Sequence, residues 1–114
     1  MRVRLIASIA LLAAGCGSAR SPIPEIAQGL PNNYSEGERV FDARLKARFP
    51  VGTSTNALAE ELTKQGFSVT TQINGGGANY TDKGFLVSSV WNIGWKAQGG
   101  RITDIWGVYG GRGP

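Results

Sequence analysis

The stretch WNIGWKAQGGRITDIWGVYG, residues 91–110, decides the fold. In its first half Trp91, Ile93 and Trp95 alternate with polar or small residues, which is typical of a strand with one buried face. Gln98-Gly99-Gly100 then supplies a turn into a second strand that runs from Arg101 to Tyr109. The stretch therefore predicts a β-hairpin near the end of the chain.

The second strand of this hairpin leaves two questions open. Ile102 and Ile105 have opposite parity, so we expect either a β-bulge or a strand covered on both faces. Trp91 and Trp95 share the parity of the apolar face and are predicted in the core. Trp106 is equally compatible with the core and with an interaction surface, and Tyr109, near the strand end, is the best candidate for an exposed contact.

Two earlier segments also show an alternation of period two. The strand that contains Trp91 extends back to Phe85, with Val87 and Ser89 on its apolar parity. The segment from Phe67 to Ile73 predicts a further strand, in which Phe67, Val69, Thr71 and Ile73 form the buried face. The glycine-rich residues 74–79 lie between these strands, and we expect them to form a flexible hairpin connection.

Two helices are predicted upstream of the strands. Ser35 and Glu38 fit a capping box, after which Phe41, Leu45 and Phe49 form one apolar stripe that Pro50 terminates. The second helix has possible N-caps at residues 53–55 and a buried side of Ala57, Leu58 and Leu62. Gly66 is expected to end it in a left-handed conformation, with Phe67 and Leu62 in contact as in a Schellman motif.

These elements predict an α+β domain over residues 36–110, in which two short helices pack on a three-stranded antiparallel sheet. Residues 16–35 are rich in Ser, Pro, Gly and Asn and predict a flexible tether, with residues 111–114 as a flexible tail. The alternative for the tether is that Ile23, Ile26 and Leu30 dock onto the domain.

The first fifteen residues have the pattern of an export signal. Arg2 and Arg4 precede the apolar run 5–14, which is too short to span a bilayer. Ala13-Ala14-Gly15-Cys16 resembles a bacterial lipobox. This resemblance implies cleavage after Gly15, diacylglycerol on the Cys16 sulfur and acylation of the new amino terminus. Gly17 is not the aspartate associated with inner-membrane retention, so the resemblance implies the periplasmic face of the outer membrane.

Composition narrows the classes of function. The chain has no His and one Cys, which argues against imidazole-based catalysis and zinc sites of the usual ligands. Without Arg2 and Arg4, ten basic side chains stand against eight acidic ones, a net charge of +2, and they form no cluster suited to nucleic acid. Glu60, Glu61, Asp82 and Asp104 are expected on solvated surfaces, and an enzyme would have to use Asp82 or Asp104.

We accordingly expect no catalytic, cofactor-binding or metal-binding residues and no small-molecule substrate. The order of a lipobox, a tether, VGTSTNALAEELTKQGF (51–67) and the terminal hairpin resembles small proteobacterial lipoproteins with the SmpA/OmlA (BamE-like) domain. The resemblance spans residues 51–109. It implies a two-helix, three-strand domain in the envelope, where the family's best-known member assists outer-membrane protein assembly by binding neighbouring proteins.

Two hypotheses follow from these observations. The first is a non-enzymatic lipid-anchored envelope protein that acts by protein contact, in outer-membrane assembly or integrity, with Trp106 and Tyr109 as candidate interaction residues. Its expected partners are the membrane, through the lipid on Cys16, and an unidentified envelope protein. The alternative is a periplasmic enzyme inhibitor of the lysozyme- or β-lactamase-inhibitor kind, which uses aromatic residues to block an active site.

Overall fold

Two helices precede an antiparallel sheet whose four strands follow one another in chain order. A computed structural model describes residues 23–84 and 87–112. The predicted signal 1–15, Cys16, Phe85 and residues 113–114 lie outside these residues. The elements are a 3₁₀ turn Glu25–Ala27, helices α1 Tyr34–Arg48 and α2 Thr55–Lys64, and strands β1 Ser68–Gln72, β2 Gly75–Lys83, β3 Ser88–Gln98 and β4 Arg101–Arg112.

Helix α1 begins earlier than the capping box predicts. Its N-cap is Asn33, whose Oδ1 accepts a hydrogen bond from the Glu36 N–H at 3.1 Å. Asn caps a helix as well as Ser does, and this cap places Ser35 inside the first turn. The predicted apolar stripe of Phe41, Leu45 and Phe49 is confirmed, since all three are buried.

Helix α2 ends as predicted. Gly66 has φ +103°, the Phe67 N–H donates to the Leu62 carbonyl, and the Gly66 N–H donates to the Thr63 carbonyl, each at 3.0 Å. These two bonds define a Schellman motif. Ser54 is the N-cap, and Leu58 and Leu62 are buried. The prediction for Ala57 was wrong, because it lies about 100° from Leu58 around the helix and is exposed.

The prediction of three strands was wrong, because the glycine-rich run forms most of a fourth. Only Ile73 and Asn74 lie in the turn, between the paired residues Gln72 and Gly75. Glycine suits β2 because the Trp95 ring of the neighbouring strand occupies the space beside Gly76. A Cβ at Gly76 would lie 2.6 Å from that ring. As a result β1 is an edge strand, and Thr71 and Ile73, predicted on a buried face, are exposed.

The terminal hairpin forms as predicted. Gln98 pairs with Arg101 around Gly99 and Gly100, whose φ angles of +60° and +77° suit a two-residue turn. The register shifts by one residue beyond Lys96, because Lys96 pairs with Asp104 and Ala97 pairs with Ile102. Of the two alternatives, the bulge is correct, and it turns both Ile102 and Ile105 into the core.

Both helices cover one face of the sheet. Trp91, Ile93, Trp95 and Ala97 of β3 join residues of α1 and α2 in a single core cluster. Pro24, Ile26 and Ala27 are also buried, and Ile23 and Leu30 are partly buried against this cluster. In the described part of the predicted tether, the structure therefore agrees with the alternative in which Ile23, Ile26 and Leu30 dock onto the domain. Strand β4 likewise extends through Arg112, two residues into the predicted tail.

The free edge of β4 is closed by α1 and by the loop before α2. Glu38 accepts from the Tyr109 N–H at 3.0 Å, Asp42 accepts from the Gly107 N–H at 2.9 Å, and Lys46 donates to the Ile105 carbonyl at 2.6 Å. Further along, the Ile102 N–H donates to the Thr53 carbonyl at 2.9 Å. The polar stripe of α1 therefore supplies the hydrogen bonds that another strand would make. Among the described residues, no helix combines the length and apolar character needed to cross a membrane.

Candidate interaction surface

Trp106 lies on the face of the sheet that the helices leave uncovered. Its neighbours Ile105 and Gly107 are buried on the helical face, and alternation along the strand points Trp106 the other way. The indole is 37% exposed and lies across Gly94, its partner on β3. A Cβ at Gly94 would lie 2.6 Å from the indole Cε2, so this glycine makes room for the ring.

Val108 extends the apolar surface beside Trp106. It has the same parity, pairs with Asn92 on β3 and is 45% exposed. Asn92 in turn pairs with Asn79 on β2, and both side chains are exposed. We call the surface formed by Asn79, Asn92, Gly94, Trp106 and Val108 the open face. It joins an indole and an aliphatic side chain to two amides, and none of its members is charged.

Tyr109 belongs to the opposite face. Its ring stacks on Trp91, with centroids 5.2 Å apart and planes 10° apart, and meets the Tyr34 ring edge-on at 4.8 Å. Burial, with the neighbouring Tyr34, raises the pKa of the Tyr109 phenol. The ring is half-buried rather than fully exposed. The two candidate interaction residues, Trp106 and Tyr109, therefore lie on opposite faces of the sheet, and only Trp106 belongs to the open face.

Trp91 and Trp95 lie in the core, as predicted, with 3% and 2% of their surface exposed. Trp91 continues an aromatic row through Tyr80, at a centroid distance of 5.9 Å, to Phe67. The indole N–H groups of Trp91 and Trp95 find no acceptor among the described residues. Both rings therefore act through apolar packing, which leaves Trp106 as the tryptophan available to a partner.

The carboxylates considered for catalysis do not converge. The register places Asp82 opposite Ser89 on the helical face, whereas Asp104 pairs with Lys96 on the other face. Asp104 accepts a hydrogen bond from the adjacent Ile105 N–H at 2.9 Å. Among residues 23–84 and 87–112, no three acidic, His or Cys side chains are grouped in a way that suits a metal ion.

Glu61 is engaged by its own neighbours. It accepts from Gln65 at 2.8 Å and from Arg48 at 3.0 Å. The Gln65 hydrogen bond lowers the pKa of Glu61, and the Arg48 and Lys64 charges lower it further against the effect of burial. Arg48 also lies 3.6 Å from Glu25, so these ion pairs bridge the cleft between the 3₁₀ turn and α2. A carboxylate held in this way stabilises the fold and is not poised to transfer a proton.

Alternation offered a signal for the open face that our sequence prediction did not use. Val108 is two residues from Trp106, so the two must share a face in any unbroken strand.

Searches of protein-family models, curated proteins and solved structures found no match to this chain.

Proposed function

We propose that this protein is a non-catalytic domain of the bacterial cell envelope, anchored at the outer membrane by a lipid on Cys16, that acts by binding another protein through the open face. The observation that carries the proposal is the position of Trp106. Its indole packs across Gly94 and is 37% exposed, on the face that neither helix covers.

The composition of the open face supports a protein partner. Protein interfaces are enriched in aromatic side chains that are apolar yet able to donate one hydrogen bond, and Trp is the residue type found most often at their energetic centres. Val108 adds apolar area, while Asn79 and Asn92 offer donors and acceptors at its border. The charged pair Lys96 and Asp104 lies on the same face beside Gly94 and Trp106, at the border of the open face, while its centre carries no charge. This arrangement suits the depletion of charged residues from interface centres.

The shape of this surface favours contact with another broad surface over insertion into an active site. An inhibitor that blocks a cleft has to project a side chain from a loop. Trp106 instead lies in the middle of β4, beside β3, and the tip of this hairpin carries only Gly99 and Gly100. The enzyme-inhibitor alternative is retained as an outcome of the test below.

Site-specific photocrosslinking tests the proposal. A photoreactive amino acid replaces Trp106 in the native host, and adducts are purified from whole envelopes and identified by mass spectrometry. The matched control carries the same amino acid at Val51, which is 72% exposed in the loop between the helices. We expect Trp106-specific adducts with integral outer-membrane proteins. A soluble lysozyme or β-lactamase-type enzyme would favour the inhibitor alternative, and identical adducts at both positions would refute the assignment of the open face.

Two variants complete the experiment. Trp106→Ala is expected to keep a cooperative thermal transition and lose the partner, because the ring is only partly buried and packs on a glycine. Collapse of the fold would instead assign Trp106 to the core. The lipid anchor is tested in the same envelopes. The intact mass of the wild-type chain must include the added acyl groups, and Cys16→Ser must release the protein from the membrane fraction. An unmodified mass would refute the anchor and leave the open face to be judged by its adducts.

A further inference from the structure

The turn between β1 and β2 contains a chemically labile pair of residues, Asn74 and Gly75. Asn74 is exposed in this turn, and it is the only asparagine of the chain that a glycine follows. The carboxamide carbon of an asparagine can be attacked by the backbone nitrogen of the next residue. A glycine at that position has no side chain to obstruct the approach and leaves the backbone free to turn. Every other asparagine precedes a residue that carries a Cβ.

The closed hairpin holds the backbone on both sides of Asn74. Gly75 pairs with Gln72 across the turn, and the Asn74 carbonyl accepts a hydrogen bond from the Ala97 N–H at 2.9 Å. The Trp95 carbonyl oxygen also lies against Gly75, on the side where a Cβ would stand. The Gly75 nitrogen is therefore not free to turn onto the Asn74 side chain while the strands are paired. The reaction requires the turn to open.

Strand β1 is where the sheet opens at the lowest cost. Within the described residues β1 pairs with β2 alone, and a groove between β1 and α2 leaves its outer edge uncovered. The β4 edge is different, because side chains of α1 hydrogen-bond to its outward backbone groups. Local opening costs least where few buried contacts and hydrogen bonds have to break. The turn after β1 can thus open while the rest of the sheet stays intact.

We propose that Asn74 is a site of spontaneous modification, in which opening of this turn lets the Gly75 nitrogen attack the Asn74 carboxamide carbon. The bond between the Gly75 nitrogen and Asn74 Cγ forms and the bond between Cγ and Nδ2 breaks. The NH₂ group takes up the Gly75 amide proton and leaves as ammonia. Water then opens the cyclic imide. Addition at Cγ gives aspartate, whereas addition at the backbone carbonyl gives isoaspartate, in which the main chain runs through the side chain.

The isoaspartate product changes the hairpin that contains it. It adds a carbon atom to the main chain at the turn, so the Gln72–Gly75 pair and the hydrogen bond from Ala97 cannot both keep their geometry. Both products also replace a neutral amide by a negative charge. We expect the modified chain to hold β1 less firmly against β2. The inference is independent of the proposed function, because it uses neither the lipid on Cys16 nor the open face.

Peptide mapping by mass spectrometry tests the site. The full chain, purified from membranes in detergent, is kept at mildly alkaline pH, with and without urea. We expect aspartate and isoaspartate to accumulate at Asn74, several times faster in urea, because the unfolded chain no longer restrains Gly75. Asn79 is the matched control, since it lies on the same strand and Tyr80 follows it. No conversion at Asn74, equal conversion at Asn79, or the same rate with and without urea would each overturn the proposal.

Two variants of β1 test the link to opening. Val69→Ala removes part of a side chain that packs against the core, five residues from the reacting atoms, and Thr71→Gly lowers the β-propensity at an exposed position. Each is expected to convert Asn74 several times faster than the wild type while keeping a cooperative thermal transition. Val108→Ala makes the same truncation as Val69→Ala on β4 and should convert at the wild-type rate. Wild-type rates in both β1 variants would overturn the dependence on opening of the turn.

The modified chain itself tests the consequence for the hairpin. Ion exchange separates it from the parent because of the added negative charge, and urea denaturation then compares it with Asn74→Asp. That variant has the same charge and an ordinary main chain. We expect the isoaspartate form to unfold at a lower urea concentration than Asn74→Asp. Equal midpoints would show that the lengthened main chain does not loosen β1.

Discussion

Several aromatic rings of this domain occupy space that a glycine leaves open. The Trp95 ring lies beside Gly76, the Trp106 ring across Gly94 and the Tyr109 ring against Gly37 of α1. A Cβ at any of these glycines would lie 2.6 to 2.7 Å from a ring atom. Such distances are well inside van der Waals contact, so these glycines make room for the rings. The alternation of the strands sets which face each ring uses.

Gly76→Ala is expected to destabilise the domain by about 1–3 kcal/mol, because the new methyl group meets both the Trp95 ring and the Thr70 carbonyl. Gly110→Ala is the matched control on β4. No atom lies within 4 Å of the corresponding Cβ position there, so its effect should stay within about 0.5 kcal/mol. Urea denaturation of both variants measures the difference, and equal midpoints would show that Trp95 does not need the space at Gly76.

Burial could be predicted for residues that belong to a clear hydrophobic period. It could not be predicted for residues whose environment depends on a partner distant in sequence. Phe41, Leu45, Trp91 and Trp95 follow the period of one helix or one strand, and all are in the core. Gly76 reads as a loop residue in isolation, because nothing near it in sequence indicates that Trp95, nineteen residues later, fills the space beside it. The same reasoning from neighbouring residues predicted Ile73 on the buried face of a strand. Strand β1 ends at Gln72, however, and Ile73 lies in the turn.

At the scale of elements, α1 joins the sheet by polar contacts as well as by its apolar stripe. Glu38, Asp42 and Lys46 are four residues apart and meet the β4 backbone at every second residue. Burial raises the pKa of Asp42, but the Lys46 hydrogen bond, the Gly107 N–H and the Lys46 charge outweigh it, and the pKa lies below its usual value. The contact between helix and edge strand is consequently sensitive to acid.

Asp42 should contribute stability at neutral pH that is lost in acid. Its pKa is lower in the folded protein, so the unfolded chain takes up the proton first, and the contribution disappears as the pH falls below about 4. Asp42→Asn is expected to lower the urea midpoint at pH 7 and to differ less from the wild type at pH 3. Glu36→Gln, which breaks the more exposed ion pair with Arg39 on the same helix, is the control and should change the midpoint less. A constant difference between wild type and Asp42→Asn across this range would contradict the assignment.

The ends of elements were predicted where the signal is local. The Schellman ending at Gly66 and the Gly99-Gly100 turn each depend on a few consecutive residues, and both are present. The predicted start of α1 was wrong because Asn33 and Ser35 are both good caps. A capping box at Ser35 would need the Glu38 carboxylate to bind the backbone N–H of Ser35. Glu38 accepts from the distant Tyr109 N–H, a contact that no local pattern reveals.

At the scale of the whole molecule, the domain begins before the predicted boundary at residue 36. The Ile26 N–H donates to the Gln65 side chain at 2.9 Å, and Arg44 donates to the Ile26 and Gln28 carbonyls. The composition of residues 16–35 suggested a tether, but the few apolar residues within it sufficed to dock its second half. Alternation alone could show that Trp106 and Val108 share a face. That the helices leave this face uncovered, and that β1 is an edge strand, depends on the strand order of the complete sheet and could not be predicted.

The closure of β4 has a consequence for how the sheet comes apart. The amides of Gly107 and Tyr109, although on an outermost strand, can exchange with deuterium only after α1 has lifted away, so they should exchange together with that helix. The amides of Val69 and Thr71 have no such cover and should exchange much sooner. Exchange measured by NMR on dilute protein would then show unzipping that starts at β1, and fast exchange at Gly107 would contradict it.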